Sequence, residues 1–176
     1  MEQSRAREKI QSLVEKFQRE QASGVITRYN ESETKTGFIE PLLQALGWNT
    51  QDRNEVGLEE KISAGRVDYS LKIKGSPKIY IEAKPPRIKL TKPEAISQAI
   101  TYGYNKRSVP WVLLTDFQEL RLFDVTIRPN KRNLEAGLRM DLTCDRFLER
   151  FDDLWFLSKE SVESGLLDRV FSYPAV

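Results

Sequence analysis

Residues 65–86 read GRVDYSLKIKGSPKIYIEAKPP, and the fold hangs on how this stretch doubles back. Val67, Tyr69, Leu71 and Ile73 alternate with other residues over 66–74, and Ile79, Ile81 and Ala83 alternate over 78–84. A period of two marks strands that turn one face to a core. Lys74-Gly75-Ser76-Pro77 supplies the reversal between them, so the pair reads as a hairpin. Only one parity of pairing puts both apolar rows on the same face, because a one-residue slip exposes one row. That parity requires an odd-length loop or a compensating bulge. It also sets Asp68, Glu82 and Lys84 together on the other face, at the end of a hairpin that stops at Pro85-Pro86. Two carboxylates and an ammonium converging there are what a metal-dependent phosphodiesterase needs.

Four stretches extend the pattern outward. They are Glu33-Thr34-Lys35-Thr36-Gly37-Phe38-Ile39-Glu40-Pro41-Leu42-Leu43-Gln44-Ala45-Leu46-Gly47-Trp48, Gly65-Arg66-Val67-Asp68-Tyr69, Ile81-Glu82-Ala83-Lys84 and Gln98-Ala99-Ile100-Thr101-Tyr102. In this order they resemble the PD-(D/E)xK nuclease superfamily. More narrowly, they are similar to the nuclease domain at the N-terminus of type I restriction enzyme R subunits and of type IIG restriction–modification enzymes. Val67 stands where the superfamily name places Pro, and the acid after it keeps its position.

The resemblance implies an α/β fold, a restriction-endonuclease-like mixed β-sheet flanked by helices. It implies Mg²⁺-dependent hydrolysis of double-stranded DNA, with Mn²⁺ able to substitute, leaving 5′-phosphate and 3′-hydroxyl ends. Asp68 and Glu82 would then hold the metal with the Ala83 carbonyl, and water would complete the octahedron. Lys84 would orient the attacking water and stabilise charge on the phosphate. Glu33 resembles the acid that such enzymes project from a helix beside the hairpin, binding metal directly or through water. Gln98 and Tyr102, four apart and so on one helix face, match a Gln-x-x-x-Tyr pattern that supports the site or touches the DNA backbone.

Each assignment has a plainer counterpart. Asp68 and Glu82 could sit on a solvated strand face, and Lys84 could form a structural salt bridge to either. Glu33 lies near Glu31 and Glu40 and could be an ordinary exposed helical glutamate. Tyr102 could be core, with Gln98 merely beside it. Arg87, Lys89, Lys92, Lys106 and Arg107 flank the Gln98 helix on both sides. They could neutralise DNA phosphates or form a solvated basic surface. Arg66 could support Asp68 or contact phosphate. A fold kept without cleavage, as a DNA-binding or scaffolding module, and a repair or junction nuclease are the alternatives in function.

Composition narrows the chemistry further. The chain has 176 residues, enough for one ordinary domain, with 39% hydrophobic and 31% charged residues. There is no histidine. Histidine-based serine or cysteine triads, histidine zinc centres and HNH-type nucleases are therefore excluded. The single Cys144 excludes an internal disulfide framework and a multi-cysteine zinc site. The net charge of +2 places any DNA contact on local patches. No Gly-x-Gly-x-x-Gly or Gly-Lys-Ser/Thr occurs, so ATP use is not expected in this chain. The longest apolar run, residues 109–114, is far too short to cross a membrane. A cytoplasmic protein is the simplest expectation.

Along the chain, Ile10, Leu13, Val14 and Phe17 predict an amphipathic helix over 2–21 that stops at Gly24. A second helix is expected over 32–46, with a kink or break near Pro41. Residues 48–62 read as an irregular strand with a turn at Gly57, and Pro93 opens a helix to about Tyr104. Residues 109–115 form a strand buried on both faces, and a turn over 116–119 leads to a partner over 120–125. Residues 128–138 read as a loop, and 147–157 as a final helix. Trp48, Trp111, Phe123 and Trp155 read as core. The nuclease domain is drawn over 1–145, with 146–176 as a helical segment that could connect to further domains. The ending Tyr173-Pro174-Ala175-Val176 suggests that the chain is the nuclease piece of a larger enzyme, or acts with separate subunits that read the DNA sequence.

Overall fold

A computed structural model describes residues 2–62, 65–104 and 109–172, without the side chains of 102–104. The first helix, α1, spans Glu2–Ala22 and buries Ala6, Ile10, Val14 and Phe17 in steps of three and four. It ends at Gly24, which takes the left-handed φ of 81° that glycine adopts without a Cβ clash. The second helical stretch is interrupted near Pro41, as expected. It consists of α2 (Glu31–Thr34), a wide π turn (Lys35–Ile39) and α3 (Glu40–Ala45). Pro41 has no N–H for the carbonyl of Gly37, and the Lys16 ammonium donates to that oxygen instead, at 3.4 Å. Within the π turn the Glu40 amide reaches back five residues to the Lys35 carbonyl. The wider turn brings Lys35 and Glu40 towards adjacent strand residues, Asp68 and Tyr69.

The described strands form one six-stranded sheet in sequential order: β1 (Val56–Ile62), β2 (Gly65–Ile73), β3 (Ser76–Ala83), β4 (Trp111–Thr115), β5 (Glu119–Asp124) and β6 (Leu138–Thr143). All neighbours are antiparallel except β3 and β4, which run parallel and are joined by a crossover carrying α4 (Pro93–Tyr104). The fold is the expected α/β mixed sheet flanked by helices.

In the hairpin, Tyr69 pairs with Ile81 and Leu71 with Ile79, the parity that the apolar rows demand. A register shift between Leu71 and Lys72 then leads to a tight turn of Lys74 and Gly75 alone, with φ of 51° and 76°. Two positive φ values suit the two-residue turn that matches strand twist, so the bulge, and not an odd loop, restores parity. Ser76 and Pro77 belong to β3.

One core cluster covers the face of Tyr69, Leu71, Ile79, Ile81 and Ala83, packed by α1, the π turn, α3 and the C-terminal helices. A second cluster, with Ala95, Ile96, Ala99 and Ile100 of α4, covers Tyr80, Val112 and Leu114. The face opposite the first core is therefore not solvated: Ser70, Tyr80 and Glu82 are all buried. Trp48, Trp111, Phe123 and Trp155 are buried as expected, and β4 is buried along its whole length.

Three expectations need correction. Gly57 is no turn but a β1 residue opposite Ser70; side-chain-to-amide turns at Asn49 and Asp52 shape the segment before it. The irregularity in β1 lies at Glu59, whose φ is 47°. Second, β6 follows directly on the 128–138 stretch, and its alternation of Leu138, Met140 and Leu142 was legible as a strand. Third, no single helix spans 147–157. Short helices α5 (Phe151–Trp155), α6 (Lys159–Glu163) and α7 (Leu166–Phe171) follow one another, with Ser158 capping α6 and left-handed Gly165 preceding α7. Phe147, Phe151, Leu154 and Leu167 join the first core cluster, and Trp111 Nε1 donates to Asp168 at 2.7 Å. Among the described residues no helix is long and apolar enough to cross a membrane. Residues 173–176 lie outside the described residues.

Candidate active site

The site is made where β2 leaves β3. The paired register ends at Tyr69 and Ile81. A regular ladder would next give the Ala83 N–H to the Val67 carbonyl, but it is the Asp68 carboxylate that accepts it, Oδ2 at 2.8 Å. Asp68 thus closes the ladder with its side chain while the strands splay. Val67 follows the divergence and packs in the second core cluster, apart from Tyr69.

Glu82 lies beside Asp68 with its side chain 6% exposed. Burial first, and then the Asp68 charge, push its carboxyl up to about 7, against the pull of Lys84. A second carboxylate is therefore held close to Glu82 in a poorly solvated space, where its charge resists the ionisation of Glu82. Lys84 Nζ is 3.1 Å from Glu82 Oε1 and donates to Gln98 Oε1 at 2.8 Å, so α4 braces the lysine from the opposite side. The salt-bridge reading of Lys84 is thus satisfied towards Glu82, in the same place that its chemical role would require.

Lys35 was not singled out from the sequence. Its ammonium lies 2.5 Å from Asp68 Oδ1, 3.2 Å from Glu31 and 3.7 Å from Glu59. Burial works against its charge, but the hydrogen bonds and charges of Asp68 and Glu31 more than offset this and raise its pKa. The break expected near Pro41 marks the helical stretch that carries Lys35, but no side-chain pattern in the sequence places its ammonium on Asp68. Beside Lys35 and Asp68, an open cavity of about 230 Å³ is lined also by Ser32, Thr36, Glu40, Leu58, Glu59 and Tyr69.

Glu33 does not point there. Its carboxylate accepts the Asn30 N–H at 3.1 Å while Asn30 Oδ1 accepts the Glu33 N–H at 2.7 Å, a reciprocal cap on α2. The helical acid nearer the pair is Glu31, whose charge acts on Glu82. Gln98 is placed on Lys84, whereas the Tyr102 side chain lies outside the described residues. Arg87, Lys89 and Lys92 are exposed on the connection from Lys84 to α4, and Arg66 is exposed on β2. Lys106 and Arg107 lie outside the described residues.

Among the described residues no group of three or more His, Cys, Asp or Glu side chains is arranged as a metal cage. Two carboxylates with hard oxygen donors nevertheless fit a cation that keeps much of its own water, as Mg²⁺ does. A divalent cation beside Glu82 would favour its charged form against the burial, and secondarily the Asp68 charge, that raise its pKa.

Residues 54–131 match the family model of the type I restriction enzyme R protein N terminus. The chain resembles the N-terminal nuclease domain of restriction enzymes. That stretch carries Asp68, Glu82, Lys84 and Gln98. Over 94% of its length the chain is 26% identical to the type II restriction enzyme and methyltransferase RM.Eco57I of Escherichia coli. The type IIG restriction endonuclease BpuSI shares the fold, with a TM-score of 0.52 over 80% of this chain at 15% identity. The chain spans 18% of the length of each of these two proteins. The PD-(D/E)xK resemblance and the restriction-endonuclease-like fold agree with all three comparisons.

Proposed function

We propose that this chain is a Mg²⁺-dependent endonuclease domain of a restriction–modification system, hydrolysing phosphodiester bonds of double-stranded DNA. The observation that carries the reading is the meeting of Asp68, Glu82 and Lys84 at the splayed end of the hairpin, with Glu82 buried, Asp68 held by the Ala83 amide and Lys84 by Gln98. Asp68 and Glu82 would hold the ion with the Ala83 carbonyl. When bound, it supplies Lewis acidity and neutralises charge on the phosphate.

The protein's own groups have definable tasks. The Ala83 amide holds Asp68 through Oδ2, and Gln98 steadies the Lys84 ammonium. From there Lys84 can donate to a phosphate oxygen or to the attacking water. Exposed Arg87, Lys89 and Lys92 supply charge to DNA phosphates next to the site, with Lys106 and Arg107 beyond them in sequence. Glu33 is committed to its helix cap, and a role in metal binding would require breaking it. Sequence recognition and methylation fall to other domains or subunits, in keeping with the greater length of the two relatives.

A panel of plasmid and branched DNA incubated with Mg²⁺ tests this reading. We expect cleavage of duplex plasmid without preference for branches, ended by chelation, with 5′-phosphate products. Retained DNA binding with no cleavage favours the silent module, and preference for branched DNA favours a junction nuclease.

A further inference from the structure

The Asp68 carboxylate already holds a cation of the protein's own. Lys35 Nζ sits 2.5 Å from Oδ1, and both side chains are 13% exposed. The other oxygen, Oδ2, already accepts the Ala83 N–H, so Oδ1 is the freer ligand atom, and there the metal and Lys35 contend for the same oxygen and the space around it. Two positive charges confined to one oxygen in a poorly solvated site repel strongly. Lys35, however, has other places to go. Glu31 Oε1 is 3.2 Å from its ammonium and Glu59 Oε1 3.7 Å, and these two are 43% and 67% exposed. Glu31 is four residues earlier on the same helical stretch, and Glu59 is brought in by the left-handed backbone of β1. Lysine, a point charge on a flexible stem, can exchange Asp68 for them with a short movement of its head.

We propose that Lys35 is a displaceable internal counter-ion of the metal site, competing with the divalent cation for Asp68 and withdrawing to Glu31 and Glu59 when the metal binds. This rests on Asp68 being a metal ligand. Lys35 is thus a positioning residue that sets how much metal the site requires. In its absence the Ala83 amide still holds Asp68 in place, so the ligand is kept and the competitor lost. Lys84 cannot substitute for it, since it is paired with Glu82 and Gln98.

Calorimetric titration of the whole chain with Mn²⁺ tests the proposal without reference to cleavage. Lys35→Met, and Lys35→Gln as a second variant that keeps a donor for Asp68, should each bind Mn²⁺ about tenfold more tightly than the wild type or better, given the strength of charge interactions at such distances. Lys72→Met, which removes a lysine paired with Glu60 along the hairpin, should change the affinity less than about twofold. Glu31→Gln combined with Glu59→Gln should weaken Mn²⁺ binding, and most of that loss should vanish in the Lys35→Met background. Unchanged or weaker binding by folded Lys35 variants overturns the proposal, as does a Glu31 and Glu59 effect that persists without Lys35. Asp68→Asn separates the two levels: if it binds Mn²⁺ as the wild type does, the metal-site reading itself is wrong.

Discussion

The Ala83 amide donates to Asp68 Oδ2 across the gap where β2 and β3 part, so one carboxylate serves both the sheet and the proposed chemistry. A strand-end residue of this kind looks removable without cost to the fold, and the hydrogen bond says otherwise. Ala83 is fully buried, so Asp68→Ala leaves its N–H without a partner. We expect a loss of about 1–3 kcal/mol in urea unfolding. Asp68→Asn keeps an acceptor in place and should lose clearly less.

Gly75→Ala addresses the bulge and turn that set the hairpin parity. Gly75 has a φ of 76°, and a Cβ there would meet Asn54 Oδ1 at 2.8 Å. The left-handed backbone alone disfavours alanine by about 1–2 kcal/mol. A urea midpoint unchanged by this substitution contradicts the turn described.

Asp116, in the β4–β5 turn, is buried and its carboxyl is pushed up to about 7, mainly by burial, while the Glu119 amide donates to it. The groups facing it are Glu119 and the Cys144 thiol, which burial and the charges of Asp145 and Asp116 push up to about 12. A carboxyl raised in the fold contributes stability that is full below its ordinary value near 3.8 and lost as pH rises through about 7. Asp116→Asn keeps the acceptor and cannot ionise. It should be more stable than the wild type at pH 8, by on the order of 2–4 kcal/mol, and lose that advantage by about pH 4. Thermal unfolding across pH, with the difference flat or reversed, would count against the buried turn carboxylate.

Glu33→Gln keeps the side-chain acceptor of the α2 cap and removes the charge. It should leave stability within about 0.5 kcal/mol and nuclease activity near the wild type, whereas Glu33→Ala should cost about 1 kcal/mol through the cap. A large loss of activity in Glu33→Gln would restore this acid to the metal site.

The hairpin was legible because its apolar rows have period two, which sets Asp68, Glu82 and Lys84 on one side, whereas the splay that turns Val67 away from Tyr69 and gives the Ala83 amide to Asp68 was not legible in it. The break at Pro41 was legible from a missing N–H. What the break does was not: the π turn swings Lys35 onto Asp68, a consequence of backbone geometry that no side-chain pattern encodes. Glu33 reads like its neighbours Glu31 and Glu40 in the sequence, and only the cap with Asn30 tells them apart. The strand β6 was legible in its alternation and was masked by the polar stretch before it. Over 147–157 only Phe151–Trp155 forms a helix, although Phe147, Phe151 and Leu154 keep helical spacing and join the first core cluster.

The most direct test of the account is the rate of plasmid nicking in Mg²⁺, measured side by side for the wild type, Asp68→Asn and Lys84→Met. The account predicts nicking by the wild type that chelation stops, and a loss of at least about a hundredfold in each variant while circular dichroism shows them folded. Nicking that survives chelation, or that either folded variant performs at the wild-type rate, would contradict it.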